Sequence, residues 1–341
     1  MDQLISKNDS KVLKCVAICL MVFHHLFAFP ERIHVKYINI FDFSFFHFET
    51  LLSYFGRICI VMFVFVSGYG MSKQFFYDTN TSLLEQYKRT VKKLWKFYTM
   101  YWLIMLVTLP YGFIKGIYKF ELVSFIKNII GLNCSYNAEW WYVWFYIELL
   151  LLFPLIIRAV NWLMEKSKSI SIFLVLLLSG ITIFFKQDFS YWMIVIFSIG
   201  IVKYSLFDRL YNKIENKVLI PIIGCISCFF LRTYIPLNID FIISIFFCFF
   251  IVAIRKELKI SNFVESICIK IGNYSMYIWL VHSFFCYYYF QNFTYSFFVS
   301  WIIFIVCMTA SYILSLLINY FICVFKKWFL LYIIRIMLRR I

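Results

Sequence analysis

Residues 12–29 read VLKCVAICLMVFHHLFAF, an apolar stretch broken by one lysine and two histidines. Coiled as an α-helix at about 1.5 Å per residue, it is about 27 Å long, close to the thickness of a bilayer's hydrocarbon core. Similar stretches recur at 51–72, 94–114, 140–159, 170–186, 190–206, 218–234, 239–254, 271–290 and 297–325. The chain has 341 residues, of which 63% are hydrophobic, 23% aromatic and 15% charged. A soluble domain is nearer half apolar and a quarter charged. The fold expected is therefore an all-α polytopic membrane protein of ten transmembrane helices, with residues 1–341 forming a single membrane-embedded domain. The fifth and sixth stretches are short and close together, which predicts a hairpin. Residues 326–341, KKWFLLYIIRIMLRRI, space cations along an apolar helix, and this tail is expected to lie in the inner interface.

The net charge of +16 invites a nucleic-acid reading, but its distribution argues against one. With these spans, 25 of the 33 lysines and arginines fall on one side and eight on the other. That asymmetry places both termini in the cytoplasm and assigns the basic face to anionic membrane lipid, with no nucleic-acid partner. The eleven cysteines are scattered through apolar segments. Cys225 and Cys228 form a lone C-x-x-C, short of the four ligands a structural zinc site needs, so no metal is expected. The N-terminal apolar stretch is too long for a typical signal peptide and lacks a small-residue cleavage site.

Two external connections are longer than a turn requires. Residues 30–50 hold Pro30, Glu31, Arg32, His34, Asp42, His47 and Glu49 among aromatics, and residues 115–139 read as an interfacial helix carrying Lys115, Lys119, Glu121 and Lys127. Within the first span, Lys14 and His25 are eleven steps apart, within about 20° of three full turns. They share a face and are separated by about 16 Å along the axis. A cation near one membrane surface and an imidazole deeper on the same face suit a long anionic ligand whose reactive end is buried. His24 sits about 80° off that face and is expected to pack or orient. A histidine can act as a general base near neutral pH, and ionisable groups inside a membrane are functional candidates by default.

The stretch VLKCVAICLMVFHHLF resembles the first helix of the acyltransferase-3 family of membrane acyltransferases, which carries a basic residue ten residues ahead of an essential histidine. Here Lys14 stands where arginine is usual. Three further stretches resemble the same family in the same order. They are FGRICIVMFVFVSGYGM with Ser67, Gly68 and Tyr69, EWWYVWFYIELLLLFPLI with Trp140, Trp141 and Pro154, and IGNYSMYIWLVHSFF with Ser275 and His282. The resemblance implies acyl transfer, usually of acetyl from cytoplasmic acetyl-CoA, onto hydroxyls of an extracytoplasmic glycan such as O-antigen, capsule or exopolysaccharide. It implies a multi-pass protein of the bacterial plasma membrane, with acetyl-CoA as donor and no permanently bound cofactor.

Depth counting along the spans puts His25, Arg57, Glu148 and His282 each about 9–12 Å below the outer face. These four are the expected reacting centre. His25 would be the base, Glu148 would orient it or bind acceptor, Arg57 would steady negative charge, and His282 would bind acceptor or the acyl oxygen. Lys14, Lys73, Lys88, Arg89 and Lys92, with Lys93 and Lys96 beside them, are the expected contacts for the phosphates of coenzyme A. Ser67 is read as a tight helix end. Trp140 and Trp141 would stack on sugar rings or belong to an aromatic belt at the outer interface. The competing reading is a polysaccharide transporter or polymerase of the same membrane.

Overall fold

The computed structural model describes residues 4–44, 46–78, 81–166, 187–235, 239–258 and 261–338. Among the described residues the chain is helical, apart from one two-stranded hairpin and an isolated bridge. The helices are α1 (Lys7–Phe27), α2 (Phe48–Phe55), α3 (Cys59–Tyr77), α4 (Leu83–Ile114), α5 (Leu122–Ile129), α6 (Tyr142–Lys166) and α7 (Gln187–Lys203). They continue with α8 (Leu206–Lys213), α9 (Leu219–Tyr234), α10 (Asp240–Glu257), α11 (Asn262–Ser283), α12 (Gln291–Tyr295) and α13 (Ser300–Leu338). Five segments are long and apolar enough to cross a membrane: Lys7–Phe27, Phe48–Tyr77, Leu83–Ile114, Ala138–Lys166 and Ser300–Val324. The protein is a multi-pass membrane protein. The fifth predicted span, 170–186, lies outside the described residues, and so does its predicted hairpin with the sixth.

Helix α1 occupies the middle of the bundle and packs against α2, α3, α10, α11 and α13. Its start is set by a capping box. The Ser6 hydroxyl accepts from the Asp9 amide at 3.1 Å, and the Asp9 carboxylate accepts from the Ser6 amide at 2.8 Å. Two glycines let neighbours approach its backbone. A Cβ on Gly272 of α11 would lie 2.0 Å from the Lys11 carbonyl oxygen, and one on Gly56 would lie 2.5 Å from that of Leu20.

The two long connections, 30–50 and 115–139, are folded. Asp42–Phe43 pairs antiparallel with Phe46–His47, and Ile38 bridges to Val299. Asp42 accepts from the amides of Glu49 at 2.6 Å and Thr50 at 3.3 Å. The fully buried Glu49 carboxylate accepts from the Phe41 amide at 3.0 Å and the Trp301 indole at 2.9 Å, tying this connection to α13. Trp301→Phe removes one of those donors and is expected to cost about 1–3 kcal/mol. The check is the unfolding midpoint in detergent, which should fall; an unchanged midpoint contradicts the tie.

Within the second connection α5 is short, with Leu122, Val123 and Ile126 exposed. Its C-terminal carbonyls, at Asn128, Ile129 and Ile130, accept from Tyr101, Trp102 and Tyr98 of α4. Two local expectations are corrected. Ser67 does not end a helix, because α3 runs on to Tyr77. The predicted span 271–290 is not one regular helix, since α11 gives way to a π-turn at Phe284–Tyr288. The run is apolar across that break, so its hydropathy carries no mark of it.

Candidate active site

A cavity of about 470 Å³ lies between α1, α3, α4, α6 and α11. One end is lined by Lys7, Lys11, Lys14, Lys93 and Lys96. The opposite end is lined by His25 and Glu139, and Phe63, Phe97, Met100 and Tyr146 line the stretch between. Lys14 and His25 therefore face one space, as their spacing on α1 predicts.

The His25 ring is held from several sides. Its Nε2 lies 3.3 Å from Oε2 of Glu139, whose Oε1 lies 3.4 Å from Nη1 of Arg32. The Tyr287 hydroxyl, placed by the π-turn, donates to the His25 carbonyl oxygen and lies 3.5 Å from His25 Nδ1. The His282 ring sits 5.0 Å away, centroid to centroid. His282 is fully buried, and its Nδ1 lies 2.7 Å from the Trp279 carbonyl oxygen, which makes Nδ1 the protonated nitrogen. Its Nε2 is then an acceptor, and it has no hydrogen-bond partner among the described residues. His24 turns away, with Nδ1 2.7 Å from the Ser53 carbonyl oxygen.

Glu139 did not emerge from the sequence. It sits in the 3-10 turn Ala138–Trp141 just ahead of α6, where no periodicity marks it. The turn is rigidly anchored. Asn137 caps it by accepting from the Glu139 amide at 3.0 Å and donates to Ser283 Oγ at 2.6 Å. The Trp279 indole donates to the Glu139 carbonyl at 3.2 Å, and the Ala138 amide donates to the Tyr288 hydroxyl at 2.9 Å. The available signal was an N-cap asparagine followed by an acid at the mouth of an apolar span.

The other predicted residues divide. Glu148 lies two steps, about 200°, past Tyr146 and is absent from the cavity wall. Arg57 pairs with Asp240 at 3.6 Å instead of meeting His25. Trp140 is 1% exposed, and its indole donates to the Leu280 carbonyl at 2.9 Å, so it packs the bundle and offers no ring to a sugar. Trp141, 36% exposed, does line the cavity.

Among the predicted cations Lys14 lines the cavity, whereas Lys73 donates to the Ile5 carbonyl at 3.1 Å. Arg89 is held by Asp78 at 2.6 Å and faces a smaller cleft of about 50 Å³. Lys88 and Lys92 are exposed and off the wall. The reason is helix phase. Lys93, Lys96, Phe97 and Met100 form one stripe of α4, and Lys92 and Lys88 lie about 100° and 140° from Lys93.

A family model described as an acyltransferase domain, that of the acyltransferase-3 family, matches residues 8–320. The chain belongs to the acyltransferase-3 family. No curated protein and no solved structure matches it. For an acyltransferase-3 protein the activity class is membrane acyl transfer, which disfavours the transporter and polymerase readings. The matched residues take in the whole cavity except Lys7, together with Arg32 and His282.

Proposed function

We propose that this membrane acyltransferase moves an acetyl group from cytoplasmic acetyl-CoA to a hydroxyl of an extracytoplasmic glycan, such as O-antigen, capsule or exopolysaccharide. One observation carries the reading: a single cavity with five lysines at one end and a histidine–carboxylate pair at the other. The lysines suit the phosphates of coenzyme A as point charges. The pantetheine arm runs past Phe63, Phe97 and Met100, and the thioester reaches His25. All ten predicted stretches span the plasma membrane in this reading, with both termini cytoplasmic and the acceptor arriving from outside.

In the transfer step the acceptor hydroxyl gives its proton to the His25 imidazole while its oxygen bonds to the thioester carbonyl carbon. The carbon–sulfur bond then breaks, and the departing thiolate takes the proton from the imidazolium. Glu139 orients the ring and stabilises the imidazolium while it lasts. His282 is fully buried behind the His25 ring and off the cavity wall, so it backs that ring and does not meet the glycan directly.

Detergent-solubilised protein is expected to bind acetyl-CoA saturably. Lys14→Glu should weaken that binding tenfold or more, and Lys92→Glu should leave it unchanged. Absence of saturable binding rules out this donor. Comparing NMR spectra of the surface polysaccharide from cells with and without the protein tests the acceptor, because an O-acetyl resonance should disappear without it.

A further inference from the structure

Three charges outside the cavity meet at the end of the bundle opposite the lysines. Arg57 lies in the 3-10 turn between α2 and α3, Arg232 in the last turn of α9, and Asp240 at the start of α10. The Arg57 turn packs on α1 where Gly56 meets His24. Arg57 Nε is 3.6 Å from one Asp240 oxygen, and Arg232 Nε is in ion-pair contact with the other, without the geometry of a hydrogen bond. Two guanidiniums thus share one carboxylate, leaving a net positive charge. The Arg57 side chain is 47% exposed, so its guanidinium is open to the surroundings of the bundle.

The setting makes that surplus charge informative. The Phe48–Tyr77 span has 30 residues, so Arg57 lies about 8 Å from its midpoint. The half-thickness of a hydrocarbon core is about 15 Å. A snorkelling arginine spans most of the difference and reaches the level of headgroup phosphates. An unmatched cation this deep is costly, and it is relieved by an anion from the bilayer. Tyr54, Phe230 and Ile242, on the same three parts of the chain, are exposed and would lie against acyl chains. A guanidinium fork is the side chain best suited to grip phosphate oxygens in pairs.

We propose that Arg57 and Arg232 form a binding site for the phosphate of a lipid in the leaflet opposite the lysine-rich end. The phosphate comes either from the phosphodiester of a bilayer lipid or from the pyrophosphate of a polyprenyl-linked saccharide. The site is separate from the cavity and does not depend on the acyl-transfer reading.

The test uses the full chain in nanodiscs, followed by delipidation and native mass spectrometry. The probes are phosphatidylglycerol, a polyprenyl pyrophosphate and, as the phosphate-free control, diacylglycerol. Wild-type protein should retain a phosphate lipid and release diacylglycerol, and Arg57→Gln/Arg232→Gln should reduce retention at least tenfold. Whichever phosphate lipid is held more tightly names the source. Equal retention by wild type and the double variant, or equal retention of diacylglycerol, overturns the site. If the double variant does not fold, Asp240→Asn decides instead. It frees both guanidiniums and should raise retention several-fold, and unchanged retention overturns the proposal.

Discussion

His25→Ala is expected to lower acyl transfer by about 10²–10⁴-fold, the range a positioned general base supplies. The donor should still bind, because Lys14 lies about 16 Å from His25 along α1, Lys7 and Lys11 lie farther along the same helix, and Lys93 and Lys96 stand on α4 at the same end of the cavity. The loss should therefore appear in kcat, with the KM for acetyl-CoA nearly unchanged. Glu139→Gln keeps the shape of the side chain but removes the charge that steadies the imidazolium. It should cost about 10²-fold or more, with the folded protein intact. The two residues act as a unit, so the double variant should be no slower than His25→Ala alone. Losses that multiply would mean that Glu139 works on something other than His25. A His25→Ala enzyme that acylates glycan at the wild-type rate removes the base altogether. The assay is transfer of radiolabelled acetyl from acetyl-CoA to isolated polysaccharide by purified protein.

Much of this site was legible because helix geometry is local. The angle between Lys14 and His25 follows from their spacing alone, and so does the exclusion of His24 from their face. Placement across helices was not legible in the same way. Glu148 and Arg57 have plausible depths, but depth does not say which way a side chain turns about its own axis. Glu148 points off the cavity wall, and Arg57 turns to Asp240. The partner His25 does have, Glu139, sits on a 3-10 turn fixed by contacts to Ser283, Trp279 and Tyr288, residues about 140–150 positions away. Long-range contacts of that kind leave no periodic trace. The lysines show the same limit on one helix. Spacing by four groups Lys88, Lys92 and Lys96, while packing against the bundle selects the stripe through Lys93 and Lys96. The π-turn that delivers Tyr287 to His25 is equally silent, because its residues are as apolar or aromatic as those of α11.

The largest structural effect is expected at Gly272. A Cβ there would sit 2.0 Å from the Lys11 carbonyl oxygen and 2.8 Å from its carbonyl carbon. Both atoms belong to the backbone of α1, so no side-chain rotation relieves the clash. To regain ordinary contact, α1 and α11 must part by about 1.4 Å, which opens a tightly packed interface at the centre of the bundle. Gly272→Leu should cost about 3 kcal/mol or more, at or above the upper end of overpacking penalties. Stability is only part of the consequence. The cavity has α1 for one wall, with Lys14 and His25, and α11 for another, with Ser275 and Trp279. His282, whose ring faces His25, also rides on α11. A shift of about 1 Å between reacting groups can cost about 10²-fold in rate, so the surviving folded fraction should also be slow. Gly70→Ala is the matched control, since no atom lies within 4 Å of its added Cβ. It should melt and turn over like the wild type. Melting curves and transfer rates for the two variants separate the possibilities. A Gly272→Leu protein that melts and transfers as the wild type does would mean that α1 and α11 are not held this close, and that the cavity is not built on their contact.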